Sequence, residues 1–221
     1  MRQSSMPRKS PAARALTAIR RWITGAPGTY IWLTLLLVTV VVRRLSPEFE
    51  QEFLVQRSAS VHALTQEPFR VLVSGALRID DGDWLLYAVL FTVFHATVEH
   101  WLGTLRWLAV AATAQFLAPF VGAAVLTWAV HHGHAPQYAE DTLDMGAGYA
   151  LAGVAAVLTY RIPHPWRALY AFAVLVVHGI PLISGRTFGD LTHFTAVLIG
   201  FGCYPLTRGL PRGKTERAAA Q

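Results

Sequence analysis

Charge is scarce in this chain and unevenly placed: 14% of its 221 residues are Asp, Glu, Lys or Arg, and long stretches have none. A soluble domain of this size needs charged surface between its core residues, so the scarcity excludes an ordinary water-soluble globule. Cysteine is scarcer still. The single Cys203 cannot form an internal disulfide, which excludes a disulfide framework under any exported loop. Lying inside an apolar run, it reads as a small core residue. A basic patch interleaved with aromatics in a polar setting is also missing. Nucleic-acid binding is therefore set aside, although the net charge is +6 and the pI about 9.9. No internal repeat is evident.

What fills the chain is apolar, 53% of it. Six apolar segments stand out: Trp22 to Val42, Trp84 to Val98, Trp107 to Val130, Met145 to Tyr160, Trp166 to Ile183 and Leu191 to Leu206. Several fall short of the ~20 residues of a full span, which suits helices buried at the centre of a bundle. Trp22, Trp84, Trp107, Trp128 and Trp166 sit near segment ends, as interfacial aromatics do. Residues 1–21 read as a disordered basic tail, 22–207 as the membrane domain and 208–221 as a second basic tail. No small-residue cleavage site follows the first segment, so it reads as an uncleaved span. The connection from Leu45 to Asp83 is long; its amphipathic stretches Phe53 to Leu64 and Phe69 to Leu77 are expected to lie on the interface.

Lys and Arg set the orientation. With the N-terminus in the cytoplasm, thirteen of the 19 basic residues fall inside and six outside, while eleven of the 13 acids fall outside. Six spans with both termini cytoplasmic is the consistent arrangement.

Polar groups at membrane depth are costly, and each is a functional candidate. His95 and Glu99 share one helix face, as a relay or ligand pair or as a structural pair near the cytoplasmic end. His178 and His193 lie in the last two segments, and two helix histidines could hold haem, although no spacing enforces a facing pair. His131, His132 and His134 form a weak candidate metal cluster near Glu140, Asp141 and Asp144. Solvated loop histidines are the plainer reading, and no cofactor is expected.

Four pieces, in order, resemble the rhomboid family of intramembrane serine proteases. Pro68 to Leu77 resembles the segment that enters the family's second helix. Glu99, Gly103 and Arg106 match the E-x-x-x-G-x-x-R that closes it. Gly146-Ala147-Gly148-Tyr149 through Gly153 resembles the fourth helix, and His193 with Gly200 the sixth, with Ala196 at its inner glycine. The resemblance implies an all-α, six-transmembrane-helix fold. It also implies a serine on the fourth helix activated by the histidine on the sixth, and oxyanion donors on the second. The histidine position is His193, and Tyr149 falls where an aromatic packs on it. The serine position falls on Met145 or, in a shifted register, on Gly148, and no serine occurs between Ser74 and Ser184. The family's second-helix His and Asn positions fall on Asp83 and Tyr87. The expectation is a multi-pass protein of a bacterial plasma membrane that has lost proteolysis. It would bind transmembrane helices of partner proteins in a cavity formed by Asp83, Tyr87, Met145, Gly146, Tyr149 and His193. Small residues such as Gly146, Gly148, Gly153 and Gly200 would receive the partner. Glu99, Arg106, Gly103, Gly153 and Gly200 are expected to be structural. Two alternatives stay open: an active protease with a nucleophile relocated to Ser74, Ser184 or Thr142, and a small transporter or channel using a chain of polar groups through the bilayer.

Overall fold

Backbone N–H and C=O groups in lipid find no water, so they must be paired within the chain. The described residues do this with helices throughout. The computed structural model describes residues 11–46, 61–79, 84–134, 146–184 and 187–209. The first two helices are α1 (Pro11–Thr24) and α2 (Pro27–Leu45). They correct the expected boundaries. Residues 11–21 are helical where composition suggested a disordered tail, and Trp22 belongs to α1 rather than to the first span. The break between them has a local cause. Pro27 pre-sets the first turn of α2 and lacks the N–H that would continue α1.

Helices α3 (Val61–Gln66) and α4 (Pro68–Ala76) follow; α4 covers most of the amphipathic stretch expected from Phe69 to Leu77. The stretch from Phe53 to Leu64 lies largely outside the described residues. Helix α5 (Trp84–Leu102) contains one π-turn, Phe91–His95, closed by the Ala96 N–H on the Phe91 carbonyl. A single residue, Gly103, joins it to α6 (Thr104–His131). Gly103 has φ +81°, a conformation that side chains bearing a Cβ rarely adopt, which gives the family-like glycine its physical reason.

The remaining helices are α7 (Gly148–Leu158), α8 (Trp166–Ser184) and α9 (Phe188–Gly202). Among the described residues, four helices, α2, α5, α6 and α8, are long and apolar enough to cross a membrane. Helix α7 is shorter, at 11 residues, and nearly all of it is buried among α6, α9 and the π-turn. Small residues set how closely the helices approach. A Cβ added to Gly200 would run into the Gly153 carbonyl, and one added to Gly153 would meet the Ala114 side chain. Gly153 and Gly200 are thus used up in packing α7 against α6 and α9. They are not free to receive a partner helix, which removes them from the surface the sequence suggested. Helix α8, in contrast, buries only Val174 and packs chiefly on α9.

Candidate functional site

His193 stands on the first half of α9, brought there by a tightly built N-terminus. The Thr187 hydroxyl accepts from the Asp190 N–H at 3.1 Å, and the Asp190 carboxylate accepts from the Thr187 N–H at 3.1 Å, a capping box. One turn in, His193 Nδ1 lies 2.9 Å from the Gly189 carbonyl. A carbonyl only accepts, so Nδ1 carries a proton, and in the neutral imidazole Nε2 presents a lone pair. That lone pair faces α7. A Cβ built on Gly148 would stand 2.6 Å from His193 Nε2. The Tyr149 ring meets the imidazole edge to face at 4.7 Å, and His178 of α8 stacks at 6.1 Å on it. Tyr149 is buried, whereas His193 and His178 are half-buried.

Of the residues expected around this cavity, Tyr149 and His193 meet at the junction of α7 and α9, and Gly146 lies just before α7; Gly148, the alternative serine position, stands beside His193. Tyr87 packs on Phe91 at 6.3 Å, within the cluster of α2 and α5. Asp83 and Met145 lie outside the described residues. The chemistry of the junction follows from its atoms. A histidine in the base tautomer faces a backbone α-carbon, with no hydroxyl on that residue to deprotonate.

Two residues outside the expected set hold the start of α7 in place. Gln115 of α6 donates from its amide to the Gly146 carbonyl at 3.2 Å and accepts from the Ala150 N–H at 3.2 Å. It is buried. The Ala147 N–H donates to the Arg78 carbonyl just after α4. Gln115 was legible as the sole amide in an apolar helix; the Arg78 carbonyl carried no sequence signal.

His95 and Glu99 share one helix, but they serve different partners. His95 is fully buried, with Nδ1 accepting from the Trp107 indole N–H at 3.2 Å and its ring stacked on Phe91 at 4.1 Å. Trp32 and Trp107 close around it edge-on. Glu99, 1% exposed, accepts from the Gly28 and Thr29 N–H groups at 2.9 and 2.7 Å and from the Thr29 and Thr104 hydroxyls at 2.7 and 2.8 Å. The carboxylate therefore caps the N-terminus of α2, where backbone donors and the helix dipole favour an anion. Arg106 instead donates to the Leu206 carbonyl at 3.4 Å.

The alternative nucleophiles are engaged locally. The Ser74 hydroxyl donates to the Val71 carbonyl and the Ser184 hydroxyl to the Ile180 carbonyl, both at 2.9 Å; Thr142 lies outside the described residues. His132 and His134 lie against Trp128, at 4.6 and 5.7 Å between rings, and His132 Nδ1 donates to the Trp128 carbonyl. Among the described residues, no three His, Cys, Asp or Glu side chains are grouped to hold a metal ion; Glu140, Asp141 and Asp144, read beside the 131–134 cluster, lie outside those residues.

No curated protein and no solved structure matches the chain. A family model described as "Rhomboid-like protein" matches residues 21–213, nearly the whole chain. With its apolar helices and the order of its motifs, the chain belongs to the rhomboid-like family of membrane proteins.

Proposed function

We propose that this is a catalytically inactive rhomboid-like protein, one that binds transmembrane helices of partner proteins without cutting them. One observation carries the reading: the lone pair of His193 faces Gly148, a residue with no side chain to serve as nucleophile. In this reading Gly148 stands at the family's serine position and His193 at its histidine position. A general base with nothing to deprotonate cannot start acyl transfer, and loss of a nucleophile removes several powers of ten in rate. Tyr149 and His178 then serve to hold the imidazole as a packing element between α7, α8 and α9.

The reading includes six membrane crossings, with α7 and α9 as the two short ones, both termini in the cytoplasm, and residence in a bacterial plasma membrane. The charge asymmetry of the sequence supports the orientation. Partner helices would dock beside α8, whose Leu169, Phe172, Val177, Ile180 and Ile183 remain more than half exposed. In a bilayer without water, such a face is satisfied by lipid or by another helix, and packing between helices decides which. The test is co-reconstitution in proteoliposomes with single-span proteins whose spans contain Gly or Pro. The expected result is stable association with no cleavage product. Cleavage within the span that is lost in His193→Ala would overturn the proposal.

A further inference from the structure

Among the described residues, nothing covers the apolar side of helix α1. Leu16, Ile19 and Ile23 are 68%, 56% and 43% exposed. At 3.6 residues per turn these three fall within an arc of roughly 60°, with Arg14 and Arg21 on the opposite side and Arg20 on the flank of the apolar arc. No acid interrupts this charge: the first acidic residue of the chain is Glu48, after eight Lys and Arg. The helix is also fixed in place. Its end meets α5 through His100, whose Nε2 donates to the Trp22 carbonyl at 2.8 Å while the ring lies 4.4 Å from the Trp22 indole. A Cβ on Gly25 would fall on that imidazole, so the turn between α1 and α2 fits against it closely. Two residues later the chain enters α2, a helix apolar enough to cross the membrane. Helix α1 is thereby held at the level where the first span begins.

We infer that α1 lies flat in the headgroup region and binds anionic glycerophospholipids. Leu16, Ile19 and Ile23 sink to the boundary of the acyl chains, and Arg14, Arg20 and Arg21 engage lipid phosphates. Charge selects this occupant over a second copy of the chain, whose own α1 would bring three more arginines and no acid to the contact. Trp22, at the junction, has the amphipathic ring suited to that depth. The Trp22–His100 and Gly25–His100 contacts set the pitch of the helix, so that its apolar edge meets the bilayer as α2 enters it. This inference does not depend on whether the protein cleaves anything.

The test uses the whole chain with Cys203→Ala in nanodiscs of phosphatidylcholine, with or without phosphatidylglycerol. A bimane label is placed at Ile19→Cys or at Thr17→Cys and quenched by nitroxide on the lipid chains. With phosphatidylglycerol present, the label at residue 19 is quenched and the label at residue 17 is not. Replacing Arg14, Arg20 and Arg21 by Gln lowers the ratio of immersed to exposed helix by about fivefold per arginine, and added salt acts in the same direction. Equal quenching at the two positions overturns the inference. So does immersion at residue 19 that is indifferent to phosphatidylglycerol, salt and the Gln variant alike. Shielding of residue 19 by crosslinkable contact with a second copy also overturns it. The lipid comparison uses unaltered arginines, so the result stands even if the triple variant folds poorly.

Discussion

Glu99→Ala should be the most damaging single truncation at the end of the bundle where α2 begins. The carboxylate receives four hydrogen bonds, two of them from backbone N–H groups in the first turn of α2. Those two donors have no alternative acceptor within their own helix, since the first N–H groups of any helix lack one. The two threonine hydroxyls can rotate to other acceptors and contribute less. Each stranded buried donor costs about 1–3 kcal/mol, and loss of the anion at the helix N-terminus adds a few tenths to 1 kcal/mol. Partial access of water near the surface offsets some of this, which leaves about 3 kcal/mol. For a chain of this size that corresponds to a fall in Tm of roughly 6–12 °C. Glu99→Gln keeps one carbonyl acceptor and should lose about half as much. Thermal unfolding in dodecyl maltoside, followed by circular dichroism, measures both. An Ala variant that melts with the wild type would refute the capping argument, as would a Gln variant that melts below the Ala variant.

Three further outcomes follow from the packing and the charge pattern. Gly200→Val should fail to fold or lose more than about 3 kcal/mol, because its new atoms meet the Gly153 carbonyl, which is backbone and cannot rotate away; expression and Tm in detergent check this. Gln115→Leu should strand the Ala150 N–H and cost about 1–3 kcal/mol, and amide exchange over residues 146–150 should quicken while that of α2 stays unchanged. In a Cys203→Ala background, a cysteine at Ala139 should react with an impermeant maleimide from outside and one at Ala219 should not, with the reverse pattern refuting the orientation.

The membrane class and helical fold were legible because apolar run length and the scarcity of charge are one-dimensional signals. The family was legible through Glu99, Gly103, Gly153, His193 and Gly200, whose spacing reflects structural demands of the fold. Glu99 shows the limit of this. Its importance could be read from its cost in an apolar segment, but its partners at Gly28 and Thr29 lie some 70 residues away and carry no local mark. The break before α2 is different: Pro27 marks it locally, although the run from Trp22 to Val42 reads as one apolar segment, and the fit of Gly25 against His100 adds a contact that the sequence does not show. Small residues were ambiguous for a related reason. Gly153 and Gly200 favour close helix approach in either case, and sequence alone does not say whether the approaching helix belongs to this chain or to a partner. At the junction of α7 and α9, counting from the family motif left both Met145 and Gly148 open. The geometry gives Gly148 the direct approach to His193 Nε2, while Met145 lies outside the described residues.

The central claim is that His193 has no nucleophile to activate. It is tested most directly by labelling the purified wild-type protein, in lipid, with a fluorophosphonate probe that reacts with activated serines. The account predicts no labelling, for the wild type and equally for Gly148→Ser, where a Cβ would crowd His193 at 2.6 Å and hold the imidazole out of line for proton transfer. Stoichiometric labelling of the wild type that disappears in His193→Ala would contradict the account and establish an active protease with its nucleophile elsewhere in the chain.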